Sequence, residues 1–103
     1  MLLPAGIVHD SQINAAIADV CRELAPDVKR IRFDRRADWS GDDAVYFRIL
    51  ISDDAARTRL RETTVKVLSM LDSFLNLETM GFLVYHNVRT VSEQAVLREK
   101  SWE

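Results

Sequence analysis

Between Val28 and Ile51 the hydrophobic pattern alternates with a period of two in two separate runs, which limits the available folds more than any other feature. From Val28 to Asp34, Ile31 and Phe33 fall on one side and Arg30, Arg32 and Asp34 on the other, as expected of a half-buried strand. Ala44 to Ile51 is rich in β-branched and aromatic residues. Its inward set is Val45, Phe47, Ile49 and Ile51, with Tyr46, Arg48 and Leu50 opposite. The intervening Ala37-Asp38-Trp39-Ser40-Gly41-Asp42-Asp43 is turn-rich, so an antiparallel hairpin is the simplest pairing.

Helical periods flank this hairpin. Asp10 or Ser11 can cap a helix over about 11–25, with Ile13, Ala16, Ile17, Val20, Cys21 and Leu24 on one stripe, and Pro26 stops it. Ser52, Asp53 or Asp54 can cap a long helix through about Leu75. Its buried stripe is expected to be Leu60, Val67, Leu71, Phe74 and Leu75, flanked by Arg57, Arg59, Arg61 and Lys66, with Glu62 and Lys66 as a supporting pair. Gly81 permits a turn into a third strand, Phe82 to Val88. Thr90 with Glu93 has the spacing of a capping box, opening a short helix with Val91, Ala95, Arg98 and Trp102 on one side.

The order is therefore α-β-β-α-β-(α), an α+β two-layer sandwich with a three-stranded mixed sheet and two helices on one face. A right-handed crossover through the long helix lays the third strand parallel to the second. At 103 residues, one domain is expected, with residues 1–10 as an N-terminal segment and 90–103 as a helical tail. With 14 basic against 16 acidic residues the chain has no overall attraction to a polyanion, so nucleic-acid contact would need a local patch. The apolar opening Met1 to Val8 lacks a preceding basic residue and is too short to span a bilayer, so a cytoplasmic location and no membrane contact are expected.

Little in the chain suggests catalysis, and no cofactor or metal is expected. Cys21 is the one cysteine, which excludes an internal disulfide, and its apolar neighbours make it a small hydrophobe. His9 is expected in a solvated segment and His86 at the end of a strand, neither with a metal-ligand spacing. Asp42-Asp43 and Asp53-Asp54 fall where aspartate favours turns and helix caps. Two surfaces remain. On the polar sheet face, Arg30, Arg32 and Arg48 are expected to gather near Tyr46, with Tyr85 a further candidate, an arrangement that can contact phosphates and stack on bases. At the tail, Trp102 and several aliphatics need an apolar surface to pack on, in cis or in a partner.

The stretch Asp38-Trp39-Ser40-Gly41-Asp42-Asp43-Ala44-Val45-Tyr46-Phe47-Arg48 and the end Ser92-Glu93-Gln94-Ala95-Val96-Leu97-Arg98-Glu99-Lys100-Ser101-Trp102 resemble a group of small bacterial proteins. Their members carry a W-(S/T)-G-(D/E)-x-A-x-x-F-R stretch and an S-E-Q-A-x-L-R end, and are often encoded beside a helical protein of the HEPN type. The resemblance implies a partner-binding role, as antitoxin or regulator, and no catalytic residue. The element order is also similar to the type II KH arrangement of ribosome-binding factor A, which implies RNA contact. The leading expectation is a non-catalytic protein-binding module using Trp39, Arg48, Leu97, Arg98 and Trp102, with homodimerisation through a sheet edge also open. The alternative is an RNA-binding accessory protein using Arg30, Arg32, Arg48 and Tyr46.

Overall fold

The computed structural model describes residues 7–103, so the reading of residues 1–6 as part of an N-terminal segment lies outside it. The elements are α1 (Asp10–Glu23), β1 (Val28–Ala37), β2 (Asp43–Ile51), α2 (Asp53–Leu75), β3 (Leu83–Thr90) and α3 (Val91–Leu97), followed by a 3₁₀ turn, Lys100–Trp102. The sheet order is β1-β2-β3, with β1 antiparallel and β3 parallel to β2. The α+β class, element order and strand directions are those the hydrophobic periods imply.

Strand β2 lies in the middle. Val45, Phe47, Ile49 and Ile51 face the helices and pack with Ile13, Ala16, Ile17 and Val20 of α1 and with Val67 and Leu71 of α2. Cys21 is half-buried against this core, and burial pushes its thiol pKa up. Leu50, on the opposite face, is buried too. It sits in one cross-strand row with Arg30 and Arg89. The cover there is the C-terminal segment, so a partial third layer joins the two expected.

That cover is held by arginines from all three strands. Arg30 Nη1 donates to the Trp102 carbonyl at 3.2 Å and Arg48 Nε to the Ser101 carbonyl at 2.5 Å. Arg89 donates to Gln94 Oε1 at 2.9 Å and Glu99 Oε1 at 3.0 Å, and its guanidinium lies 4.3 Å from the Trp102 ring centroid. Gln94 Nε2 closes the loop by donating to the Glu99 carbonyl at 2.7 Å. The Thr90–Glu93 capping box forms as expected, with Glu93 N–H donated to Thr90 Oγ1 and Thr90 N–H to Glu93 Oε1. The start of α3 is pinned to that of α2 by Ser92, which hydrogen-bonds Asp53 through both N–H and hydroxyl.

Several local expectations are corrected. The cap position of α1 is His9, one residue earlier than read, and its N–H donates to Gln12 Oε1 at 2.7 Å. The helix ends at Glu23 rather than 25, and β1 runs three residues past Asp34 because its pairing with β2 continues to the turn. His86 lies inside β3, not at its end. The buried stripe of α2 is Ala55, Thr63, Val67 and Leu71, whereas Leu60 and Phe74 are about half exposed. Leu60 directly follows a break in the helix at Arg59 (φ −154°, ψ 39°). Arg59 instead reaches back to Asp27 with two hydrogen bonds of 2.6 and 2.8 Å, and this guanidinium holds the Asp27 carboxyl below its usual pKa. Phe74 lies in the last turn, beside Ile7 and Met80 at the rim of the core. The Glu62–Lys66 pair does not form among the described residues; Asp27, Asp54 and Asp19 are the acids that pair with arginines of these helices. Finally, α3 stops at Leu97, because Arg98 adopts left-handed φ/ψ, so Trp102 belongs to a separate turn folded back on the sheet.

Trp102 is 5% exposed. Trp102→Ala is therefore expected to destabilise the fold by about 3 kcal/mol, the usual scale for truncating a buried large aromatic. Urea unfolding of the variant and the parent measures it.

Candidate interaction surface

The sheet face opposite α1 and α2 is built of cross-strand rows. Past the arginine rows that hold the C-terminal segment, Asp34, Tyr46 and Tyr85 form one row and Arg36, Ala44 and Leu83 the next. The Tyr46 and Tyr85 rings stack with centroids 4.9 Å apart, and the Arg36 guanidinium lies 4.0 Å from the Tyr46 centroid. Beyond this row the β1–β2 connection turns at Gly41, whose φ of +87° is left-handed backbone that glycine adopts without a Cβ penalty.

The turn is organised by one carboxylate. Asp38 Oδ1 accepts from Ser40 N–H (2.9 Å), the Ser40 hydroxyl (2.7 Å) and Asp42 N–H (3.1 Å), while Oδ2 accepts from the Tyr85 hydroxyl (2.8 Å). Backbone bonds Asp38 N–H to Asp42 O and Gly41 N–H to Asp38 O close the loop. Asp38 is buried, and these donors, the Ser40 hydroxyl first, hold its carboxyl down from 3.8 to about 2. The same hydrogen bond raises the Tyr85 hydroxyl pKa. Trp39 stands between two residues of this network and is itself 93% exposed.

The residues singled out from the sequence do not form one patch. Trp39 lies beyond the Ala37–Asp43 pair and Arg98 beyond Thr90, which pairs with Ile51, so they flank opposite ends of β2, roughly 25 Å apart at ~3.3 Å per residue. Leu97 is exposed on α3, Trp102 is buried in the chain itself, and Arg48 is engaged by Asp34 and the Ser101 carbonyl. Of the set proposed for RNA, Arg30 and Arg48 are thus committed to the C-terminal segment. Arg32 is exposed and Tyr46 is half-buried under Arg36. Tyr85 joins Tyr46 as read, whereas Leu83, Arg36 and the ordering role of Asp38 were missed as site features. The recurrence of Asp38, Ser40 and Asp42 around Gly41 is the sequence signal that could have revealed the turn.

On the helix side, an open groove of about 460 Å³ runs between α2 and β3, lined in part by Phe47, Leu71 and Val84, with Ser69, Asp72 and His86 at its rim. No hydrogen bond joins His86, Ser69 and Asp72 to one another among the described residues. The described residues contain no group of three or more His, Cys, Asp or Glu that could hold a metal ion, and no helix long and apolar enough to cross a membrane. No protein-family model, curated protein or solved structure matches the chain.

Because the ionised Asp38 carboxylate is the hydrogen-bonded form, its stabilising effect is present above the unfolded pKa near 4 and fades as pH falls through about 2. Asp38→Asn should melt below the parent at pH 7, and the gap should narrow between pH 4 and pH 2. Thermal melts across that range test this.

Proposed function

We propose that this chain is a non-catalytic protein-binding module that presents Trp39, with Arg36, Leu83 and Tyr46 behind it, to a protein partner. The observation that carries this reading is a tryptophan 93% exposed at the tip of a turn whose backbone is fixed by Asp38. Tryptophan is the residue most enriched among those that dominate interface energies, and a single large aromatic on a fixed support suits a pocket in a partner. Leu83, also exposed, and the cationic Arg36 extend the surface along the same end of the sheet. The resemblance to small bacterial proteins encoded beside HEPN-type proteins makes such a helical protein the first partner to test, with this chain as its antitoxin or regulator.

RNA contact fits the geometry less well, since a phosphate at Arg30 or Arg48 would have to displace the carbonyls of Trp102 and Ser101. Calorimetric titration with a helical HEPN-type protein of the kind encoded beside the resembled group should show binding by the parent chain. Trp39→Ala should weaken it at least thirtyfold, or about 2 kcal/mol, while changing fold stability by less than about 0.5 kcal/mol. Absence of protein binding, together with salt-sensitive RNA binding lost in Arg32→Ala, would transfer the assignment to RNA.

A further inference from the structure

The two edges of the sheet differ in kind. Strand β1 carries Lys29, Arg30, Arg32, Asp34, Arg35 and Arg36, and its register with β2 shifts between Val28 and Arg30. Charge and irregularity of this sort blunt an edge against further pairing. Strand β3 pairs with β2 without interruption from Leu83 to Thr90, and residues 83–88 include no Lys, Arg, Asp, Glu or Pro. The sheet order leaves its far side without a neighbouring strand. Outside the β2–β3 ladder, no backbone–backbone hydrogen bond involves residues 83–88 among the described residues.

The groove beside this edge is selective where the edge is not. Val84 and His86 pair with Val45 and Phe47, which face the helices, so they form its β3 wall, with Leu68 and Asp72 on the α2 wall. The floor is apolar, with Phe47, Leu71 and Leu77 buried. Glu78, in the α2–β3 connection, joins Asp72 at the rim. Both are exposed, and neither pairs with a basic side chain among the described residues. No Lys or Arg among the described residues lines the groove, so its two carboxylates are left to a cation from outside.

We infer that β3 takes up an extended peptide segment of a protein partner as a fourth strand, with an apolar side chain seated in the groove and a Lys or Arg beside Asp72 and Glu78. Successive side chains of a strand point to opposite faces, so an apolar and a basic residue two apart turn toward α2 together. In this mode main-chain hydrogen bonds give affinity, while the groove and its carboxylates select the sequence. A second copy matches less well. Its β3 edge brings no cation, and on its β1 edge Arg30 and Arg32 point away from the helix side while Arg35 is held by Asp10 and the Val8 carbonyl. Tyr46 and Leu83, behind Trp39, lie on the other face of the sheet, so the two sites are separate.

A heptapeptide with blocked ends, Thr-Lys-Thr-Phe-Thr-Lys-Thr, tests this, because it presents the same side chains whichever way it runs along β3. Titrated into the full chain, it should shift the backbone amide NMR signals of residues 83–88 most strongly. Replacing both lysines of the peptide by glutamate should weaken binding by roughly tenfold, since attraction becomes repulsion. Asp72→Asn combined with Glu78→Gln should weaken the lysine peptide by roughly fivefold, the scale of two exposed ion pairs, with the circular dichroism spectrum unchanged. No shift at millimolar peptide, or shifts that fall away from β3 and its groove, overturn the inference. So does equal affinity for the lysine and glutamate peptides, or indifference to the paired substitution. A parent chain that light scattering shows to be dimeric, and whose amides at 83–88 ignore the peptide, overturns it in favour of a second copy.

Discussion

Strand β2 buries apolar side chains on both faces, and the rest of the structure meets that constraint. A strand with only Val45, Phe47, Ile49 and Ile51 turned inward would need one layer of helices. Leu50, on the other side, needs a second cover, and no full layer is available to give it. The chain answers with a short helix and a 3₁₀ turn folded back across all three strands. The C-terminal segment is thus an integral part of the fold, not an appendage to it.

Polar chemistry decides how that cover is held. Guanidinium groups reach the backbone carbonyls of residues 101 and 102 from Arg30 and Arg48, and Arg89 adds two side-chain acceptors and the face of an indole. Charge-assisted bonds of this kind are stronger than neutral ones. A face that reads in the sequence as a row of free arginines is therefore partly a clamp. The uncommitted portion lies toward the β1–β2 turn, where the Tyr46–Tyr85 stack meets the Asp38 network.

The fold was legible where periodicity governs it. The alternation over 28–34 and 44–51, the capping box at Thr90 and Glu93, and the crossover that makes β3 parallel all follow from local pattern and chirality. The stripe of α2 was legible only in part, since Val67 and Leu71 face the core but the helix breaks at Arg59, whose guanidinium pairs with Asp27 far away in sequence. No i, i+4 spacing reports that pairing. The candidate surface was half legible for the same reason. Trp39 and Tyr46 stand out by residue type, yet the separation of Trp39 from Leu97 and Arg98 depends on strand register, and the burial of Trp102 depends on arginines far away in sequence.

The turn that carries Trp39 has a further consequence. Its backbone geometry is settled during folding by hydrogen bonds converging on one carboxylate, so little loop ordering remains to be done when a partner arrives. Freezing a flexible loop costs about 1–2 kcal/mol for each backbone residue, whereas immobilising one side chain costs about 0.5–1.5 kcal/mol. A tryptophan displayed in this way is preorganised: it can dock as a nearly rigid body, with most of its contact energy retained as affinity.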